Sequence, residues 1–290
     1  MTNDAWRAAI EALRRDNTSG ATEITARAAQ ALAETIAALP VETYADAPVT
    51  AARYRRWLLI LGRQLIGAQP AMASLYRLAN DHLWAVRELP DDAAPAELRE
   101  RALVFVAQRQ SEMTSAIQAA ACCAATYLAR YTAILTHSRS ATVELALLTL
   151  AQRGLRPRVI CGESRPMGEG RALAETLARA GLPVTLMADM ALFGALAQAQ
   201  ALVVGADAIS PAGLVNKVGT ATLARAAVER ELPVIAVCIS HKLLPWPRWS
   251  LQREGDPREI ALDSPAGLSV ANPYFDATPL TLFDLVITEW

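Results

Sequence analysis

The run from Gly205-Ala206-Asp207-Ala208-Ile209 to Gly213-Leu214-Val215-Asn216-Lys217-Val218-Gly219-Thr220 packs an acid, an amide, a cation and three glycines into one short stretch. A carboxyl that follows an apolar run is partly withdrawn from water, which raises its pKa and suits Asp207 to proton donation; capping a loop or helix is its structural alternative. Asn216 and Lys217 can donate to an anion, and a helix opening near Thr220 would offer free backbone amides beside Gly219. Together they suit a phosphorylated ligand. Lys242, in Ser240-His241-Lys242, can reach the same anion from another loop, against the ordinary alternative of two solvated lysines. Arg165, in Glu163-Ser164-Arg165, offers a forked phosphate contact or pairs with Glu163 or Glu169. Asp189 reads as a cap. His137, with no acid near it in sequence, reads as a structural hydrogen-bonding group.

These residues fall at the ends of short β-branched runs separated by Ala/Leu-rich runs, recurring at roughly 22–28 residues as βα units should. The pattern predicts strands at Thr132–Thr136, Arg158–Cys161, Val184–Ala188, Ala201–Gly205 and Val234–Cys238, with a loop after Gly205. Strands apolar throughout belong to a sheet covered on both faces, and such a sheet binds ligands beyond its carboxyl edge. Before about Arg130, apolar residues recur at three- and four-residue intervals, with breaks at Leu39-Pro40, Gln69-Pro70 and Leu89-Pro90. The expected fold class is therefore α/β: a bundle of four to six helices over residues 1–130, then a Rossmann-like doubly wound parallel sheet over residues 131–290.

Composition excludes several functions. Of 290 residues 53% are hydrophobic and 20% charged, which is globular rather than disordered, and a net charge of -1 gives no global field to draw nucleic acid or anionic lipid. No apolar run nears the ~20 residues of a bilayer span. The start, Met1-Thr2-Asn3-Asp4, is unlike a signal peptide, so a cytoplasmic protein is expected. Cys122, Cys123, Cys161 and Cys238 lack CxxC spacing and nearby histidines, so free thiols are expected, with no metal. Cys161-Gly162-Glu163 to Gly168-Glu169-Gly170 lacks GxGxxG spacing, which speaks against a dinucleotide; no cofactor is expected.

The motifs resemble one family, the initiation factor 2B alpha/beta/delta group, which includes regulatory subunits of that factor, methylthioribose-1-phosphate isomerases and ribose-1,5-bisphosphate isomerases. The resemblance runs through Thr136-His137, Glu163-Ser164-Arg165-Pro166, Gly205-Ala206-Asp207, Asn216-Lys217-Val218-Gly219-Thr220, Asn272-Pro273-Tyr274-Phe275-Asp276-Ala277-Thr278-Pro279 and Ile287-Thr288-Glu289, and more weakly through Ser19-Gly20-Ala21 and Gln69-Pro70. In the isomerases it implies a cysteine after Thr-His acting with the aspartate as an acid/base pair. Here Asp207 is kept and Ser138 replaces the cysteine, while Ser19 and Gln69 stand where arginines would. The resemblance places Gly20, Ala21, Gln69, Arg165, Asn216, Lys217 and Lys242 at the ligand. A hydroxyl without an activating base is a poor proton carrier. The expected function is thus binding of a phosphorylated sugar or nucleoside monophosphate without the standard isomerase chemistry. A divergent aldose–ketose isomerase is the alternative, and a true translation-factor subunit the third reading. A homodimer or larger homo-oligomer is expected, with Trp246-Pro247-Arg248-Trp249 as a self-association loop.

Overall fold

The computed structural model describes residues 4–245, 254–261, 263 and 265–290; Trp246-Pro247-Arg248-Trp249 lies outside them. The chain divides into two compact units, Met1–Thr114 and Ser115–Trp290.

In the first unit, apolar residues spaced for one helical face produce α1 (Asp4–Arg15), α2 (Ala21–Ala38), α3 (Ala51–Ala68), α4 (Ala73–Arg87) and the start of α5 (Pro95–Leu128). Trp6, Ile10 and Leu13 of α1 and Tyr54, Leu58, Leu61 and Leu65 of α3 enter one core. The chain turns at each proline break. Arg55 closes the carboxyl end of α4, its guanidinium donating to the carbonyls of Val86 (2.6 Å), Leu89 (3.0 Å) and Pro90 (2.7 Å). One element departs from the all-helical expectation: a small hairpin, β1 (Thr43–Tyr44) and β2 (Ala47–Pro48), turning through Ala45 and Asp46 at φ 50° and 59°. Among the described residues no helix is long and apolar enough to cross a membrane.

The second unit holds a six-stranded parallel sheet of β3 (Ala133–His137), β4 (Arg158–Gly162), β5 (Val184–Met187), β6 (Ala201–Val204), β9 (Val234–Val237) and β11 (Leu285–Ile287), in the order β5-β4-β3-β6-β9-β11. That is the doubly wound arrangement, with its reversal between β3 and β6. Successive residues go to opposite faces. Ile134, Val203, Ile235 and Val237 pack with the last turns of α5, α6 (Ala141–Gln152) and α7 (Glu169–Arg179). Leu135, Leu202, Val204 and Val234 pack with α8 (Leu192–Ala195) and α9 (Thr220–Val228). Both faces being dry explains why the strands read as continuous apolar runs. Ala121, Ala124, Ala125 and Leu128 belong to this core, so the division between units falls inside α5.

Two features differ from the sequence reading. The segment after Gly205 is an antiparallel pair, β7 (Ala208–Ser210) and β8 (Gly213–Lys217), joined by β10 (Phe275–Thr278). Gly213 sits at φ 135°, and a Cβ there would lie 2.7 Å from the Thr278 carbonyl oxygen. The sheet also carries a sixth strand, β11.

Candidate functional site

The strand reversal brings the ends of β3 and β6 together: a Cβ on Gly205 would lie 2.5 Å from Ser140 Cβ. Beyond β3 the backbone enters the left-handed region at Ser138, φ 65°, and beyond β4 at Ser164, φ 64°. Such conformations cost of order 1 kcal/mol each and persist where the surroundings enforce them. The enforcing contacts are visible. Ser138 N donates to Ser164 Oγ (3.0 Å), while Ser164 N and Arg165 N donate to the two carboxylate oxygens of Asp189, each at 2.7 Å. Asp189 is thus a cap, for the loop after β4 and not for its own turn.

That loop delivers Glu169. A Cβ on Gly170 would fall 1.9 Å from the Gly162 carbonyl oxygen, so only glycine lets α7 begin this close to the end of β4. Ser138 Oγ donates to Glu169 Oε1 at 2.9 Å, and Lys217 Nζ, from β8, lies 2.7 Å from the same oxygen. Among the described residues, buried Glu169 Oε2 has no hydrogen-bond partner. Lys217 is itself buried, with its ammonium 5.3 Å from the centre of the Tyr274 ring.

Asp207 follows β6, with its amide donating to the Val215 carbonyl at 2.8 Å. Burial pushes its carboxyl above the usual carboxylate range; the ammonium groups of Lys242 and Lys217 oppose the rise, and Glu169 adds to it. Lys242 is buried and donates through Nζ to the Ala206 carbonyl. Asn216, also buried, donates through Nδ2 to Thr220 Oγ1 at 3.1 Å and ties β8 to the start of α9.

Two expectations change, those for the Gly219 amides and for the ion pair of Arg165, and the remaining residues take the places given after them. The amides beside Gly219 already have an anion: Asp276 accepts from Gly219 N (2.8 Å) and Ala221 N (3.2 Å), so the end of α9 is closed. Arg165 pairs with neither Glu163, which binds Arg171, nor Glu169, which binds Lys217; it donates to the Glu259 carbonyl at 3.3 Å. His137 is structural through Nε2, 2.9 Å from the Val218 carbonyl oxygen, and the acid nearest it in space is Asp189, at 4.0 Å from Nδ1. Gly20, Ala21 and Gln69 belong to the first unit. Gly20 precedes α2, Ala21 is buried in the helical core, and Gln69 Nε2 donates to the Leu13 (2.7 Å) and Asp16 (3.1 Å) carbonyls at the end of α1.

Ser138, Asp207, Lys217 and Lys242 therefore share one neighbourhood with a residue that sequence reasoning had considered only as a partner for Arg165. That residue, Glu169, puts a carboxylate acceptor within hydrogen-bond reach of the Ser138 hydroxyl. Its only sequence signal was an acid in the first turn of a helix, which ordinarily reads as helix-dipole compensation.

A model of the initiation factor 2 subunit family matches residues 17–290. The chain is 31% identical over 234 residues to a ribose 1,5-bisphosphate isomerase of Methanocaldococcus jannaschii, covering 79% of this chain and 74% of that one. A ribose 1,5-bisphosphate isomerase of Archaeoglobus fulgidus is 35% identical over 162 residues, and that alignment spans about half of either protein, 54% of this chain and 52% of the relative. Among solved structures, a translation initiation factor eIF-2B of Pyrococcus horikoshii OT3 superposes with a TM-score of 0.80 at 26% identity, covering 99% of this chain and 96% of that one.

Proposed function

The chain belongs to the initiation factor 2 subunit family, and we propose that its second unit is an aldose–ketose isomerase acting on a ribose 1-phosphate, with ribose 1,5-bisphosphate as the leading substrate. The observation that carries this reading is Asp207. Its carboxyl is held toward the protonated form beside two buried ammonium groups, an acid next to an anion-binding charge. A ribose phosphorylated at C1 has no free aldehyde, so conversion to the ketose requires its ring to open, and the leaving ring oxygen needs a proton. Asp207 supplies that proton. Lys242 and Lys217 hold the phosphate, since the end of α9 is closed by Asp276.

The experiment is direct: incubate the purified protein with ribose 1,5-bisphosphate or methylthioribose 1-phosphate and follow aldose loss and ketose gain by NMR. Turnover that Asp207→Asn reduces by about 10²–10⁴-fold supports the reading. Ser138, standing where the related isomerases are expected to hold a thiol, favours a second reading of ligand binding without turnover; that outcome would appear as substrate-induced thermal stabilisation with no ketose formed.

A further inference from the structure

Ser138 cannot stand in for a thiol alone, because its hydroxyl does not ionise near neutral pH. The structure gives it a carboxylate partner. Ser138 is partly exposed at the carboxyl edge of the sheet, and behind it Glu169 Oε1 accepts its hydroxyl proton at 2.9 Å. Lys217 Nζ grips the same oxygen at 2.7 Å, and the Gly170 contact with β4 fixes where α7 starts, so Glu169 is pinned from two sides. Hydroxyl, base and orienting group thus form the arrangement by which enzymes activate a serine. Oε2 of Glu169 is buried with no partner among the described residues, a cost that a purely structural ion pair could remove by closing both oxygens.

We propose that Ser138 and Glu169 form a proton relay that takes over the task of the missing thiol, opposite Asp207; this rests on the isomerase reading above. In the step, the proton of the substrate 2-hydroxyl passes to Ser138 Oγ while the Ser138 proton passes to Glu169 Oε1. The O–H electron pair becomes the second bond of the C2 carbonyl. The C2 hydrogen moves with its pair to C1 as the bond from C1 to the ring oxygen breaks, and the proton of Asp207 goes to that ring oxygen. Asp207 ends ionised and Glu169 protonated, and exchange with water resets both. Ser138 is the catalytic residue of the pair. Glu169 acts through it.

The test compares Glu169→Gln, Ser138→Ala, their double variant and Ser138→Cys with wild type on ribose 1,5-bisphosphate. The relay predicts that either single change lowers kcat by about 10²–10³-fold with KM little altered, and that the double variant loses no more than the worse single one. In the Ser138→Cys background a thiolate no longer needs the base, so adding Glu169→Gln should cost less than about tenfold. A wild type that turns over, is silenced by Asp207→Asn and keeps its kcat within about threefold in Glu169→Gln and Ser138→Ala would overturn the relay while sparing the isomerase reading. No wild-type turnover would overturn both.

Discussion

Asp276 on β10 closes the amino end of α9 by accepting the Gly219 backbone N–H at 2.8 Å, so that helix terminus is occupied by the protein's own carboxylate. In the function proposed above, Lys217 and Lys242 hold the incoming phosphate, and both are buried, which strengthens their fields and limits their motion.

The cap gives the first prediction. Asp276→Ala leaves the Gly219 and Ala221 amides unpaired and should destabilise the fold by about 1–2 kcal/mol, whereas Asp276→Asn, which keeps an acceptor oxygen, should cost less. Denaturant titration reads the difference. Equal stability for wild type and Asp276→Ala would show that the cap holds nothing.

Lys242→Met keeps the stem and removes the charge. If its ammonium contacts phosphate, KM for a sugar phosphate should rise by about 10–100-fold, the worth of one charge-assisted hydrogen bond of about 1.5–3 kcal/mol. Stabilisation by ligand should shrink with it, since it follows RT ln(1 + [L]/Kd). An unchanged KM would move the phosphate elsewhere.

A pH test concerns His82, buried in the helical unit with Nδ1 3.1 Å from the Leu78 carbonyl oxygen. Burial pushes its pKa below the ordinary value, against the pull of the Leu78 and Leu58 carbonyls. The unfolded chain therefore takes up a proton that the fold refuses. Stability contributed by neutral His82 is present above the unfolded pKa of about 6.5 and is lost as pH falls below it, at up to about 1.4 kcal/mol per pH unit. Measured from pH 8 to 5, wild type should lose more stability than His82→Asn; parallel curves would contradict this.

Asp207 should show the opposite slope. Its folded pKa is raised, so the fold prefers the protonated carboxyl, and stability is lost as pH climbs from the unfolded value of about 3.9 through the folded one. Asp207→Asn avoids that loss and should melt above wild type at alkaline pH, with the gap closing on acidification. A variant less stable than wild type at pH 8 would mean that the ionised carboxyl contributes to the fold.

How much of this was legible depends on the range of each interaction. The parallel strands were readable because Ile134 and Leu135, or Leu202 and Val203, go to opposite faces that are both dry, and that leaves an uninterrupted apolar run. The β7–β8 pair was not, since Ala208–Ser210 is only three residues long and β10, which pairs with β8, lies far along the chain. Asp207 and Lys242 could be grouped because a doubly wound topology sends the ends of β6 and β9 to one edge, and Lys217 because it lies in the same short stretch as Asp207. Glu169 could not be joined to Ser138, 31 residues away, because their contact depends on two left-handed backbone positions and on how tightly Gly170 meets Gly162. No local pattern encodes those. Asp276 lay within a recognised motif, but only its register opposite Asn216 shows that it caps α9.

The most direct measurement is turnover of ribose 1,5-bisphosphate by wild type beside Asp207→Asn, with binding of the same compound followed by thermal shift on the same samples. The account predicts ketose formation by the wild type, a loss of about 10²–10⁴-fold in the variant, and stabilisation by ligand retained in both. Stabilisation of the wild type by the compound with no ketose formed would contradict it and leave a binding protein built on an isomerase fold.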